Sequence, residues 1–128
     1  MTARAENYLH GRPDLHDTIA RLQAYQEDGA DVLYAPGLTT REEIESVVRS
    51  VDKPVNVVMG LRGTPFSLAD LSGMGVKRVS VGGSLARAAL GAFLRAAREM
   101  REHGTFTYAQ EAISAKEIAE LLQPFKSA

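Results

Sequence analysis

Four short runs rich in β-branched residues alternate with stretches of helical spacing along this 128-residue chain, and that order predicts an α/β fold on parallel strands. Val76, Val79 and Val81 lie between glycines and lead through Gly82-Gly83-Ser84 into the longest helical stretch, a strand–turn–helix unit. Gly29–Gly37 stands in register with Gly75–Gly83, glycine on glycine at both ends. The offset between the two runs is the length of about two compact βα units. No linker or low-complexity segment interrupts the pattern, so 1–128 reads as a single domain.

Taken in order, Thr2–Glu6 reads as a first strand with no lead-in, as if the chain began inside a larger fold. Asp14 caps a helix whose Leu15, Ile19, Leu22 and Tyr25 share a face, and Gly29 ends it. Asp31–Ala35 is the second strand. Thr40 with Glu43 forms a capping box ahead of Ile44, Val47, Val48 and Val51. Pro54–Met59 is the third strand, with proline at its first position. After the long loop Gly60–Phe66, Ser67 with Asp70 opens a short helix that ends at Gly73-Met74-Gly75. Ser84 caps the long helix, which places Leu85, Ala89, Phe93, Ala96 and Met100 on one face. Gly104–Ala109 reads as a loop, and Ser114 with Glu117 opens a final helix over Ser114–Gln123.

The resulting order, β-α-β-α-β-α-β-α-α, is half of an eight-stranded (β/α)8 TIM barrel, four parallel βα units plus a terminal helix. An open four-stranded sheet fits the same order. Net charge is −1, which gives no electrostatic case for nucleic acid or an anionic membrane. No apolar run approaches the ~18 residues of a membrane span, and there is no signal-peptide pattern. The chain has no cysteine, which excludes disulfides and thiolate chemistry, and a cytoplasmic setting is the default.

Ligands of parallel βα folds sit at the carboxyl ends of strands. That singles out Arg4, Glu6, Asn7, Tyr34, Asn56, Met59, Arg62 and the Gly82–Ser84 turn. Arg4 and Glu6 alternate on one strand, so both can face a barrel interior, where the planar arginine fork suits a carboxylate or phosphate. An Arg4–Glu6 pair that merely satisfies itself fits the same spacing. Gly82, Gly83 and Ser84 offer backbone N–H groups at the positive end of a helix, although the same glycines serve a simple tight turn. Asn56, amid apolar residues, needs partners that a polar ligand or a neighbouring strand would supply. His10, His16 and His103 lack metal-ligand spacing and read as solvated.

Several motifs together resemble one family. Ala3–Asn7, Gly11–Leu15, Thr18–Tyr25, Gly29–Leu38, Pro54–Val57 and Arg78–Gly82 follow, in order, the pattern of the isocitrate lyase/phosphoenolpyruvate mutase superfamily, above all its phosphonomutase-like branch. The resemblance implies a barrel enzyme that makes or breaks C–C or P–C bonds of 2-oxo acid or enolpyruvyl substrates, through an enolate held by Mg2+. Arg4 matches the family arginine that binds the substrate carboxylate or the reacting oxygen, Glu6 the acidic residue of the same motif, and Asn56 an asparagine of the branch, so Arg4 and Glu6 are the catalytic residues the resemblance implies. Asn7, Asn56, Gly82, Gly83 and Ser84 join Arg4 as expected substrate contacts. Pro36 stands where lyases of the family carry a glutamate. The resemblance covers only the carboxyl-terminal barrel half. The family's Mg2+-binding aspartates belong to the other half, so Mg2+ is expected for the complete enzyme and not for this chain alone. A catalytically inactive half-barrel that binds a small anion or a partner chain is the alternative. Open strand edges at Thr2–Glu6 and Arg78–Val81, with wet inner faces at Val55–Met59 and Val79–Val81, predict a homo-oligomer or a complex with the other half.

Overall fold

The computed structural model describes residues 1–60 and 65–123, in two compact units, Met1–Leu85 and Ala86–Ala128. The first holds a four-stranded parallel sheet of β1 (Thr2–Arg4), β2 (Val32–Tyr34), β3 (Val55–Val58) and β4 (Arg78–Ser80), in the spatial order β1-β2-β3-β4. Each strand adds beside the last, without the reversal that marks a doubly wound sheet. Helices α1 (Leu15–Glu27), α2 (Arg41–Arg49) and α3 (Leu68–Gly73) make the crossovers.

One apolar cluster joins Leu22 of α1, Ile44 and Val47 of α2 and Leu71 of α3 to Leu33, Ala35, Val55, Val57 and Met59 of the sheet. These sheet residues alternate with Tyr34, Asn56 and Val58, so all three helices cover the same face. Such one-sided winding is a barrel wall, and it disfavours the open sheet. Burying Leu22, Leu33 and Ile44 completely contributes about 1.5–3 kcal/mol each. The apolar residues of Val55–Met59 are not the wet inner surface the sequence suggests, whereas in Val79–Val81 Val79 packs partly buried against the core and Val81 is exposed. Val55, Val57 and Met59 point into the helices and are buried, and the opposite face is largely polar.

Capping sets the helix boundaries. The Asp14 side chain accepts from the Asp17 N–H at 3.0 Å, and Thr40/Glu43 and Ser67/Asp70 form complete capping boxes. At the other ends, Ala30 N–H donates to Tyr25 C=O and Val76 N–H to Leu71 C=O, both at 3.0 Å, after glycines at φ +92° and +87°. The glycine-on-glycine echo is therefore one helix-stop motif used twice. At its far end the echo fails, because Gly82, not Gly83, carries the positive φ. The strands are also shorter than expected. Val76 belongs to the helix stop and only Arg78–Ser80 pairs as β4.

In the second unit α4 (Ser84–His103) continues from the first, followed by a 3-10 turn at Thr107–Gln110 and by α5 (Ala115–Leu121). The turn replaces part of the expected Gly104–Ala109 loop. Glu99 draws it in by accepting from the hydroxyls of Thr105 and Thr107 and from the N–H groups of Thr107 and Tyr108. The Ser114/Glu117 capping box opens α5 as expected. The apolar face expected of α4 exists but buries none of its residues, and Phe93 is 66% exposed.

Candidate functional site

Strand pairing sets Arg4 beside Tyr34, Tyr34 beside Asn56, and Asn56 beside Arg78. Residues from all four strands thus stand in one row on the face away from the helices, with Glu6 and Ser80 two residues further along their strands. Arg4 Nε lies 2.6 Å from Glu6 Oε1, and its guanidinium carbon is 5.0 Å from the centre of the Tyr34 ring. The pair is half-exposed, so it contributes about 1 kcal/mol at most. Its consequence is geometric. Glu6 and Tyr34 hold the guanidinium by Nε and by one face, leaving the terminal Nη edge to meet an outside carboxylate.

Asn56 is 1% exposed and is satisfied by β4, its Nδ2 donating to Ser80 Oγ at 3.0 Å and its Oδ1 accepting from Arg78 Nη1 at 3.2 Å. Of the two partners the sequence allows, the neighbouring strand is the one observed. Burial pushes the Tyr34 phenol above its usual pKa, opposed by the Arg4 charge, the Ser80 hydroxyl and the Arg78 charge. It therefore stands as a neutral hydroxyl at physiological pH.

The Gly82–Ser84 turn closes on itself, Ser84 N–H donating to Val81 C=O at 3.0 Å. Ser84 is the first residue of α4 and so not its cap, the expected capping position falling on Gly83. Across from it Gly60 adopts φ +76°, and a Cβ there would come within 2.7 Å of Ser84 Cβ, so the end of β3 and the turn after β4 abut. Asn7 stands apart from the row. Its Nδ2 faces Arg12 C=O, Asp14 C=O and Thr18 Oγ1 at 3.2, 3.1 and 2.7 Å, tying the loop after β1 to α1, while its buried Oδ1 has no partner among the described residues. Met59 is in the core, the three histidines are exposed, and Arg62 lies outside the described residues.

Sequence reasoning passed over Arg78 and Ser80 as site residues. The signal for them lies in the alternation Arg78-Val79-Ser80-Val81, the pattern of a half-polar strand. Among the described residues no three His, Asp or Glu side chains converge as metal ligands, and Glu6 is engaged by Arg4. The described residues do not by themselves fit a magnesium site.

Known proteins bear on this arrangement. The family model for phosphoenolpyruvate phosphomutase matches residues 1–101. An uncharacterised protein from Mycobacterium tuberculosis is 34% identical over 105 residues, covering 80% of this chain and 39% of its own length. The crystal structure of a provisional lyase/mutase from Burkholderia cenocepacia superposes with a TM-score of 0.92 at 64% identity, over 96% of this chain and 44% of that one. A phosphonopyruvate hydrolase in complex with oxalate and Mg2+ gives 0.71 at 29% identity, over 94% and 44%. The chain spans less than half the length of these relatives. Matched over most of its length by the family model and folded as four βα units of the barrel, the chain belongs to the phosphoenolpyruvate mutase/isocitrate lyase superfamily.

Proposed function

We propose that this chain, taken over 1–128 as one domain, supplies the acid-binding wall of a Mg2+-dependent lyase or phosphonomutase-like enzyme. Its substrate would be a 2-oxo acid or enolpyruvyl compound in which a C–C or P–C bond next to the carboxylate is made or broken. The observation that carries the reading is Arg4, tethered through Nε by Glu6 at 2.6 Å, stacked on Tyr34 and half-exposed on the polar row. In this reading Arg4 binds the substrate carboxylate and Glu6 orients it. Asn56 holds the β3–β4 side of the wall, and the Gly82–Ser84 turn lines the rim. Asn7 acts more remotely, by fixing the loop that follows β1. Magnesium would be held by residues outside those described here, and a cytoplasmic setting accompanies the proposal.

We also propose that the wall is completed by another chain, either a second copy or one carrying the remaining βα units. Among the described residues β1 and β4 each have a neighbour on one side only, and such parallel edges favour further strand pairing. The engagement of Glu6 by Arg4 favours a second reading, an inactive half-barrel that binds a small anion and a partner.

The test is Arg4→Lys in enzyme complemented with the remaining barrel units. Lysine keeps the charge and loses the fork, so kcat/KM should fall by the equivalent of about 2–4 kcal/mol. An unchanged kcat/KM would remove Arg4 from the site. If the complemented wild-type chain turns over neither oxaloacetate nor phosphonopyruvate with Mg2+, the inactive reading prevails.

A further inference from the structure

Glu6, the residue that tethers Arg4, stands just beyond the carboxyl end of β1. Ala5 N–H still reaches the sheet, donating to Tyr34 C=O at 2.9 Å. From Glu6 the chain turns back on itself. His10 N–H donates to Glu6 C=O, Gly11 N–H to Tyr8 C=O and Arg12 N–H to Asn7 C=O, at 3.2, 3.2 and 2.9 Å. These bonds shape the turn, and side chains on its two flanks fix it to the wall. Asn7 ties it back to α1. Tyr8 ties it forward to α2, its hydroxyl donating to Glu43 Oε1 at 3.1 Å. The other oxygen of that carboxylate, Oε2, accepts from the Thr39 and Thr40 N–H groups and the Thr40 hydroxyl. Glu43 thus caps α2 with one oxygen and holds the loop after β1 with the other. The backbones meet at the same place. Gly37 has φ +104°, and a Cβ there would lie 2.7 Å from Tyr8 Cβ, so the loops after β1 and β2 touch where only glycine fits. A capping box needs neither the phenol nor that close approach.

We propose that Tyr8 is a positioning residue of this site: clasped by Glu43 and seated on Gly37, it holds the start of the loop after β1 so that Glu6 stands where it tethers Arg4. The phenol suits that task. Burial and the neighbouring Glu43 carboxylate push it up to about 12, so it remains a hydrogen-bond donor throughout the neutral range. Tyr8 is two residues from Glu6, and the turn that Tyr8 anchors begins at the Glu6 carbonyl. A slack clasp therefore reaches Arg4 through Glu6, although Tyr8 touches no part of the row itself. The proposal rests on the acid-binding reading above for what Arg4 then holds, and adds to it the residue that keeps Arg4 and Glu6 in place.

The experiment follows the 15N signal of Arg4 Nε, amide exchange in the loop after β1, and binding of pyruvate, all in the full chain. Tyr8→Phe keeps the ring on Gly37 and loses the hydroxyl. It should speed exchange at His10, Gly11 and Arg12 by about tenfold, the loss of one hydrogen bond to a charged group. It should also shift the Arg4 Nε signal and weaken pyruvate binding. Glu43→Gln keeps an oxygen for the Tyr8 hydroxyl and should hold the Arg4 signal near wild type. Glu43→Ala should match Tyr8→Phe at Arg4, and combining the two should add nothing there. Thr40→Ala weakens the cap of α2 and leaves the Tyr8–Glu43 bond, so it should not move the Arg4 signal. An Arg4 signal unchanged in Tyr8→Phe, or moved as far by Thr40→Ala, overturns the positioning role and leaves the acid-binding reading standing. Wild type that binds no pyruvate overturns the acid-binding reading, and the Arg4 signal still decides the clasp.

Discussion

The two units of this chain obey the same local rules and differ in what those rules are used for. In Met1–Leu85, capped helices press their apolar faces on a sheet, and every buried apolar residue of the described chain lies between Ala5 and Val76. In the second unit, α5 has as complete a capping box as α2 or α3, and α4 is the longest helix of the chain. Yet Leu90, Phe93, Leu94, Ile118, Leu121 and Leu122 are all exposed. Capping satisfies backbone groups within a few residues and needs no neighbour, so it is fulfilled in both units. Burial needs a facing surface, and the chain supplies one only to the first unit.

The largest expected effect breaks that comparison most directly. Leu33→Ala empties a fully buried position and should destabilise the first unit by about 2–5 kcal/mol, independent of protein concentration. Phe93→Ala removes a side chain that is 66% exposed and should cost no more than about 0.5 kcal/mol in dilute protein. If a second chain covers α4, the Phe93 effect should grow as the concentration rises. Urea unfolding at two concentrations separates these cases. A concentration-independent cost at Phe93 equal to that at Leu33 would show that α4 is packed after all.

What could be read in the sequence follows the same division. Asp14, Thr40, Ser67 and Ser114 announce their helices because a cap is written in adjacent residues. The parallel α/β fold was legible in the alternation of the four runs. The site was legible in part. Arg4 and Glu6 are two positions apart on one strand, so alternation alone put them together. The company of Asn56 was not legible, because Ser80 and Arg78 reach it through the β3–β4 register, and a run of four residues does not state its register. The 3-10 turn at Thr107–Gln110 was missed because it depends on Glu99, several residues upstream in α4, reaching forward to its N–H groups.

A middle-sized effect sharpens the contrast between capping and packing. Thr40→Ala and Ser114→Ala each remove a capping-box hydroxyl, a loss of about 0.5–2 kcal/mol to the helix concerned. In α2, whose Ile44 and Val47 are buried, that loss should appear in global unfolding. In α5, which buries nothing, it should appear only as faster hydrogen exchange of the helix itself, with the global midpoint unchanged. A global shift from Ser114→Ala would mean that the second unit unfolds together with the first.

The smallest effect is set by pH and compares two glutamates that gather hydrogen bonds. Burial pushes the Glu43 carboxyl up, but the N–H groups of Thr39 and Thr40 and the hydroxyls of Thr40 and Tyr8 together hold it below the usual 4.5. Glu99, half-buried, is held below the same value chiefly by the Thr105 hydroxyl, then by the N–H and hydroxyl of Thr107 and the N–H of Tyr108. For both, the folded pKa lies below the unfolded one. Their contributions are therefore complete above about pH 4.5 and are lost as pH falls through the folded values. Protonating Glu43 should lower global stability, because its partners bind α2 to Tyr8 in the loop after β1. Protonating Glu99 should release only the turn that follows α4. The amide shifts of Thr107 and Tyr108 should titrate with a midpoint below 4.5 and stop titrating in Glu99→Gln, while the global midpoint of that variant matches wild type. A global acid destabilisation that disappears in Glu99→Gln would mean that the turn supports more of the molecule than its own four residues.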